Sequence, residues 1–246
     1  MTADVQPAPE GGDLELAQTF AELAHTLLAE KTLPATLTKM CQLAVATIDG
    51  CDHAGVTLIE GQRLTTRGAS DDVPKRVDAI QYEVNEGPCL SAIREHGAFQ
   101  TDDLAEESRW PRFAQRAVEE TGVRSVLSIR LSVAGDTMGA IGHFSKQTGA
   151  FDDEACAVAG IFAAHAAVAL AAAKDHQEME EAVRSRDVIG QAKGILMARQ
   201  AITEEQAFDL LKRASQRLNI KLRDVAQAIS KGKGPPGASD ADSQSR

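Results

Sequence analysis

Five cations in the last quarter of the sequence are the side chains best suited to bind a ligand. They are Lys193, Arg213, Arg217, Lys221 and Arg223. Lysine and arginine bind phosphate through charge-assisted hydrogen bonds, and arginine can form two such bonds in parallel. These residues predict a phosphate-bearing partner. The alternative is that they only keep the outer faces of small helices solvated.

The charge distribution favours the first interpretation. The 246 residues carry a formal net charge of −10, which alone would disfavour a polyanionic partner. From residue 183 to residue 233, however, there are eleven Lys and Arg against five Asp and Glu, and the rest of the chain has 15 basic and 31 acidic residues. A basic segment on an acidic body is expected when only one part of a protein meets phosphates.

Other reactive side chains form no recognisable catalytic or metal-binding pattern. The four cysteines are widely separated, so we expect reduced thiols, with Cys89 buried and structural rather than redox-active. His53 and His143 have no partner at metal-ligand spacing, so no metal is predicted. A Walker loop, an H-E-x-x-H motif and a nucleophile elbow are all absent from the sequence. We therefore predict no catalytic residues and no enzymatic activity.

The elements that must position these residues divide the chain into a mixed part and a helical part. Two amphipathic helices within residues 14–48 precede HAGVTLIEG and QRLTTRGAS, whose alternation predicts a β-hairpin. Short helices and a strand follow, then a helix ending at Gly122 and two strands joined through Ala134-Gly135-Asp136. A long helix begins after Asp152. This order predicts an α+β domain with an antiparallel sheet flanked by helices.

The remaining residues predict an all-α module of three helices. The first helix has one apolar face, and the second begins at Thr203 and Gln206, which have capping-box spacing. The third is short and ends at Gly232. Phe208, Leu211 and Val225 are expected in the core of the module.

The helical module resembles the ANTAR domain, an RNA-binding domain of bacterial transcription antitermination regulators. The resemblance rests on A-K-G-I-L-M at 192–197, E-x-A-F at 205–208, Ser215 and N-x-K-L-R-D-V-A at 219–226. It implies that hairpins in nascent leader RNA are the partner. The residues expected to contact RNA are Lys193, Gly194, Arg213, Ser215, Arg217, Lys221 and Arg223.

Two of these residues are expected to act without charge. Gly194 in a helix interior costs about 1 kcal/mol relative to Ala, so it has a reason to be there, either close approach of a partner or close packing of helices. Ser215 is expected to provide a short hydrogen-bonding group beside it. Hairpin loops present unstacked bases to such side chains, while the cations meet the phosphates.

The preceding residues resemble the GAF domains of actinobacterial regulators. The segments EGPCLSAIREHGAFQTDDL, RWPRFAQRAVEETGVRSVLSIRL and GAIGHFS carry this resemblance. GAF domains hold a small molecule, a haem or a chromophore beside the sheet, so a small-molecule ligand is possible here but its identity is unknown. The combination resembles a GAF-ANTAR regulator, controlled by ligand or redox state rather than by phosphorylation.

We therefore predict five segments. They are a disordered leader at residues 1–12, a GAF sensor domain at 13–174, a helical linker able to form a coiled coil at 175–186, an ANTAR RNA-binding domain at 187–232 and a disordered tail at 233–246. Two hairpins would need two modules, which favours a homodimer. Its seam is predicted at Ile161, Val168, Ala172, Met179 and Val183, although the first half of this helix is expected to pack on its own GAF sheet.

The predicted location is the cytoplasm, without membrane association. The apolar stretch at residues 161–173 is shorter than the roughly 20 residues that cross a bilayer, and the N-terminal residues lack the pattern of a signal peptide. Two other functions fit the sequence. One is a DNA-binding helical transcription regulator, and the other is a ligand or redox sensor whose tail only dimerises.

Overall fold

The computed structural model describes residues 11–232, with side chains from residue 18 onwards. All but the last two residues of the predicted leader, and the whole predicted tail, lie outside this range. The chain divides into two compact units, Met1–Asp175 and His176–Arg246. The first unit is α+β and the second is all-α, as the sequence predicts.

A five-stranded antiparallel sheet lies at the centre of the first unit. Its strands are β1 (His53–Glu60), β2 (Arg63–Ala69), β3 (Ala98–Thr101), β4 (Ser125–Val133) and β5 (Asp136–Ser145), in the spatial order β2-β1-β5-β4-β3. The predicted hairpin β1-β2 and the predicted pair β4-β5 are confirmed. The β4-β5 turn uses Ala134 and Gly135, whose φ angles of 50° and 92° place both in the left-handed region.

Helices cover both faces of this sheet, since both faces carry apolar side chains. The helices are α1 (Gly11–Leu28), α2 (Leu33–Thr47), α3 (Asp72–Val84), α4 (Pro88–Arg94), α5 (Pro111–Thr121) and the first part of α6 (Asp153–Gln200). On one face α1, α2 and α6 bury Met40 and Phe162. On the other face α3, α4 and α5 bury Ile80 and Phe113. The sheet is therefore the middle of three layers.

Local signals determine where these helices begin and end. The Asp71 carboxylate accepts a hydrogen bond from the Val73 amide at 2.8 Å and caps α3. Proline occupies the first turn of α2, α4 and α5, where its missing N–H is not needed. Gly122 follows α5 with a φ of 72°, which confirms the predicted stop.

α6 is longer than the sequence predicted. The Asp152 carboxylate accepts a hydrogen bond from the Ala155 amide at 2.8 Å, which confirms the predicted start. We expected a separate first helix in the C-terminal module, but α6 runs for 48 residues to Gln200. No proline interrupts this stretch, and Gly190 and Gly194 each cost only about 1 kcal/mol. The predicted linker is thus a continuous part of α6.

An apolar window in α6 is long enough to cross a membrane by length and composition alone. However, 44% of that window is buried inside the structure, because side chains such as Phe162 and Leu170 pack in the core of the first unit. A core helix passes the same test. The window is therefore weak evidence for a membrane.

The second unit consists of the remainder of α6 with α7 (Glu204–Leu218) and α8 (Leu222–Ser230). Ala192, Leu211, Val225 and Ala226 form its buried core. The predicted capping box is present: the Thr203 hydroxyl accepts from the Gln206 amide at 3.3 Å, and the Gln206 side chain accepts from the Thr203 amide at 2.9 Å. The second unit thus has three helical segments as predicted, but the first of them is the end of α6 and not a separate helix.

The prediction that Phe208 lies in the core of the module is wrong. Its side chain is 40% exposed, whereas Leu211 and Val225 are fully buried. Successive helical residues are about 100° apart, so Phe208 lies roughly a quarter turn from the stripe of Ala207, Leu211 and Ala214 that faces the other helices. Apolar character alone does not distinguish the edge of a stripe from its centre.

Candidate nucleic-acid interface and sensor core

Lys193 lies on α6 and forms an ion pair with Glu204 in the first turn of α7. Its side chain is only 23% exposed. The hydrogen bond and charge of Lys193 lower the pKa of Glu204. The glutamate is therefore ionised at neutral pH and competes with any phosphate for the same ammonium group.

Gly194 faces open space. A β-carbon built at this residue would have no neighbour within 4 Å in the described structure. Close packing of helices, one of the two reasons considered for this glycine, is therefore not found among the described residues of the second unit. The bare backbone remains open to close approach from outside.

Two of the predicted contacts have partners within the second unit. The Ser215 hydroxyl donates to the Ile220 carbonyl at 2.6 Å, which holds the turn between α7 and α8. The Arg223 guanidinium donates to Glu181 at 3.2 Å and lies 3.6 Å from Asp224. Lys221 is exposed at the start of α8.

Arg213 and Arg217 border a cleft of about 590 Å³ in the second unit. They are four residues apart on α7 and so project from the same face. Arg199, in the last turn of α6, joins them. None of the three pairs with a carboxylate among the described residues. The apolar side chains that line the cleft are Leu196, Leu210, Leu211, Ala214 and Ile229.

The structure thus divides four of the five predicted cations into two groups, and the fifth, Lys221, is exposed at the start of α8. Lys193 and Arg223 are paired with acids, whereas Arg213 and Arg217 remain available at one cleft. The sequence prediction missed Arg199. Its signal was present, because Arg199 follows the apolar Leu196 by three residues and so lies on nearly the same face of a helix.

A buried polar cluster lies between the sheet and α3 in the first unit. The Asp78 carboxylate accepts hydrogen bonds from Thr57 at 3.0 Å, Thr66 at 2.8 Å and Gln81 at 3.0 Å. The Tyr82 hydroxyl lies 2.8 Å from Thr57 Oγ1 and 3.0 Å from Thr66 Oγ1. Burial raises the pKa of Asp78 to about 6. The sequence prediction missed this cluster, since it depends on the register of β1 against β2 and on the packing of α3 over the two strands.

The cluster continues to Cys89. The Gln81 side-chain carbonyl accepts from the Cys89 amide at 2.9 Å, and the Cys89 sulfur lies 3.1 Å from the Ser128 hydroxyl. Burial raises the pKa of the Cys89 thiol to about 12, and burial does the same for Cys41 and Cys51. Protonated, buried thiols are poor nucleophiles. The burial and the raised pKa of Cys89 favour the structural role predicted for it.

His143 and His53, the two histidines considered as possible metal or haem ligands, both contact other protein groups through Nδ1. His143 Nδ1 donates to the Leu127 carbonyl at 2.9 Å, and burial lowers the His143 pKa to about 4, so the ring is neutral. His53 Nδ1 lies 2.7 Å from the Asp71 carboxylate. Among the described residues, no group of three His, Cys, Asp or Glu side chains could hold a metal ion.

The predicted seam residues on α6 are solvent-exposed. In the first unit Ile161 and Val168 face outwards, although Phe162 and Ala166 on the opposite side of the helix are buried. In the second unit Met179, at 69% exposure, and Val183 also face outwards. The helix therefore packs on its own sheet with one side and leaves its other side uncovered.

An α+β domain with one buried polar cluster, followed by a small helical module that bears an arginine cleft, fits a regulator with a sensor domain. Family matches agree with this class: residues 30–171 match the GAF domain and residues 177–229 match the ANTAR domain. The chain belongs to the GAF domain family and also carries an ANTAR domain. No curated protein matches the sequence.

Solved structures share the fold of the first unit. The GAF domain of a phosphoenolpyruvate-protein phosphotransferase from Coxiella burnetii has a TM-score of 0.55 at 14% identity, and that from Acinetobacter has 0.53 at 16%; each comparison covers 67% of this chain and 98% of the other. A free methionine-R-sulfoxide reductase from Neisseria meningitidis has a TM-score of 0.51 at 12% identity, over 71% of this chain and 99% of the other. At these identities the likeness establishes the fold alone.

Proposed function

We propose that this protein is a transcription antitermination regulator of the GAF-ANTAR type found in actinobacteria. Its ANTAR domain binds hairpins in nascent leader RNA and so prevents a terminator from forming. Its GAF domain controls that binding in response to a small molecule or to redox state. The protein has no catalytic activity and acts in the cytoplasm as a homodimer.

One observation carries the RNA-binding part of this proposal. The domain matched to ANTAR places Arg199, Arg213 and Arg217 around one cleft, and none of these guanidiniums pairs with a carboxylate in the described structure. Arginines around one cleft repel one another weakly through solvent, and a bound anion would relieve that repulsion. RNA provides closely spaced phosphates, which arginine binds well.

The proposed dimer is supported by the uncovered side of α6. Met179 and Val183 are four residues apart and exposed, and Ile161 and Val168 are seven residues apart and exposed. Spacings of four and seven bring side chains to one side of a helix. Two chains that pair these sides would cover the apolar surface and bring two ANTAR domains into one molecule.

The surroundings of three of the four thiols favour a small molecule over redox state as the signal, while the fourth, Cys156, is half-buried. Cys41, Cys51 and Cys89 are buried, and their raised pKa values keep them protonated at neutral pH. The same observation supports the absence of thiol-based catalysis. In contrast, the Asp78 cluster places several hydrogen-bonding groups in the interior of the sensor domain.

Direct binding tests this proposal. The purified full chain is titrated at fixed salt with an RNA that carries two hairpins, with the same RNA after one hairpin is deleted, and with duplex DNA of equal length. We expect the two-hairpin RNA to bind at least about tenfold more tightly than the duplex, with a strong dependence on salt. Equal affinity for RNA and duplex DNA would reject the proposal in favour of a DNA-binding regulator.

A further inference from the structure

We propose that the buried polar cluster of the first unit is a proton-binding site, through which the sensor domain responds to pH. The site consists of four oxygen atoms from Asp78, Thr57, Tyr82 and Thr66, which we call the oxygen ring. The ring lies within the first unit alone. That its proton controls RNA binding rests on the proposed function.

The oxygen ring contains four contacts at hydrogen-bond distance. Asp78 Oδ2 lies 3.0 Å from Thr57 Oγ1 and 2.8 Å from Thr66 Oγ1. The Tyr82 hydroxyl oxygen closes the ring, because it lies 2.8 Å from Thr57 Oγ1 and 3.0 Å from Thr66 Oγ1. Each hydrogen bond needs one proton between its two oxygens. The closed ring therefore needs four protons.

The number of protons in the ring depends on the charge of Asp78. The three hydroxyl groups carry one proton each, so an ionised Asp78 leaves one of the four contacts without a proton. Two oxygens then face each other through lone pairs alone, which is unfavourable in a buried site. A protonated Asp78 provides the fourth proton, and every oxygen then donates to one neighbour and accepts from the other. The geometry therefore fits the neutral acid better than the carboxylate.

Gln81 determines which oxygen of Asp78 carries the proton. The Gln81 side-chain carbonyl accepts a hydrogen bond from the Cys89 amide at 2.9 Å, which fixes the orientation of the side-chain amide. The NH₂ group of Gln81 therefore faces Asp78 and donates to Oδ1 at 3.0 Å. Because Oδ1 is an acceptor, the acidic proton lies on Oδ2, inside the oxygen ring.

The titratable groups that face Asp78 are neutral. They are Tyr82 on α3, Cys41 on α2 and Cys89 on α4, and burial raises the pKa of each of them. β1 and β2 contribute the uncharged threonines of the ring. Asp78 itself is 1% exposed, and burial raises its pKa to about 6. Within this cluster, a change of pH around 6 therefore changes the charge of Asp78 and leaves its neighbours uncharged.

Gln81 also connects the ring to α4. Gly87 precedes α4 and has no side chain to cap it, so the Cys89 amide in the first turn donates to Gln81 instead. Trp110, the only tryptophan of the sequence, donates from Nε1 to the Ser91 hydroxyl of α4 at 3.1 Å. Ionisation of Asp78 removes a ring contact and loosens α3 from the two strands. The start of α4 then moves with Gln81, and Trp110 reports the movement.

Infrared difference spectroscopy of the full chain tests the proton site. A protonated carboxyl has a C=O band that ionisation removes, and only the signal that Asp78→Asn abolishes is assigned to Asp78. We expect wild type to lose this band with a midpoint near pH 6, and the fluorescence of Trp110 to change with the same midpoint. Asp72→Asn is the matched control and should leave the band unchanged, because Asp72 is an exposed carboxyl of the same helix.

Tyr82→Phe separates the oxygen ring from the effect of burial alone. The variant keeps both threonines, whose two protons then serve the two remaining contacts of an ionised Asp78. A closed ring in wild type therefore predicts that the midpoint of the infrared band falls by about one pH unit in the variant. Burial alone predicts an unchanged or higher midpoint, because the variant makes the surroundings more apolar. That result would overturn the inference, as would a wild-type chain without an Asp78-dependent band between pH 5 and pH 8.

Binding of hairpin RNA at pH 5.5 and pH 7.5 tests the regulatory part. The side chain in Asp78→Asn stays neutral at both pH values. We therefore expect the wild-type affinity to change about fivefold or more relative to this variant, while Asp72→Asn behaves as wild type. Equal changes in wild type and Asp78→Asn would show that the proton does not control RNA binding. If wild type binds no hairpin RNA at either pH, the proposed function is wrong, and the infrared midpoints still decide whether the ring binds a proton.

Discussion

At the scale of single residues, ion pairs within the ANTAR domain determine which cations are available. Lys193 stands in the A-K-G-I-L-M motif, yet Glu204 already neutralises it. A phosphate that binds Lys193 must displace this carboxylate. The acidic partner is therefore expected to weaken RNA binding, which could not be inferred from the motif.

Glu204→Gln should raise the affinity for hairpin RNA. The substitution removes a competing negative charge and frees Lys193, and the gain expected for an exposed pair is about two- to fivefold. Titration at low and at high salt measures it, and the gain should shrink at high salt. Glu205→Gln is the matched control, since Glu205 is also in the first turn of α7. Equal gains in RNA affinity from Glu204→Gln and Glu205→Gln would show that the ion pair between Lys193 and Glu204 does not limit RNA binding.

Asp78→Asn should change how the stability of the sensor domain depends on pH. The native pKa of about 6 lies above the ordinary aspartate value of 3.8. Between these pH values the native carboxyl keeps a proton that the unfolded chain has lost, so ionisation destabilises the native state as pH rises. Relative to wild type, the variant should gain about 2 kcal/mol between pH 4 and pH 7.

Urea unfolding of both proteins across this pH range measures the difference in the free energy of unfolding. The altered hydrogen bonding of asparagine changes the free energy of unfolding by the same amount at every pH. The change of the difference with pH therefore reports the titration of Asp78. A difference between the two proteins that stays constant from pH 4 to pH 7 would contradict the burial of a titrating carboxyl.

His143→Gln should change the pH dependence of stability in the opposite direction between pH 4 and pH 6.5, because the native pKa of His143 is lowered. The same urea unfolding measures this difference from wild type.

At the scale of elements, α7 has a buried side and an exposed side that its sequence did not separate. Leu211→Ala should destabilise the second unit by about 2–5 kcal/mol, as for other buried leucines. Phe208→Ala should cost less than about 1 kcal/mol, because Phe208 is partly exposed. Hydrogen exchange of peptides from α7 and α8 measures both effects. If both variants lose equal protection from hydrogen exchange, Phe208 contributes to the core as much as Leu211 does.

The uncovered side of α6 makes a separate prediction about assembly. Met179→Glu places a charge in the proposed seam and should shift the protein from dimer to monomer in sedimentation experiments. The fold should survive, since Met179 is exposed. Lys174→Glu is the control, because it alters an exposed residue of the same helix outside the seam. A dimer that tolerates Met179→Glu would place the interface elsewhere.

Elements with local signals were predictable from the sequence, and those without them were not. The capping box at Thr203, the stop at Gly122 and the alternation in β1 and β2 each depend on residues close in sequence. The Asp78 cluster depends on which residues of β1 and β2 lie opposite one another. α6 continues through the predicted linker because no capping or helix-stopping residues interrupt it. Sequence patterns mark where helices begin and end, and they give no signal where a helix simply continues.

At the scale of the whole molecule, α6 belongs to both domains. Its first part is in the core of the GAF domain, and Ala192 near its other end is in the core of the ANTAR domain. We expect a ligand in the GAF domain to act by shifting populations of this shared helix, and a ligand without different affinity for the two states would have no effect.

Transcription through a leader terminator tests the central claim most directly. A purified bacterial RNA polymerase transcribes a template whose leader encodes two hairpins that overlap a terminator, with and without the full chain. We predict that the protein increases read-through, and that changing the loop sequences while keeping the stems abolishes the effect. Read-through that does not respond to the protein, with hairpin binding verified in the same buffer, would contradict the antitermination account.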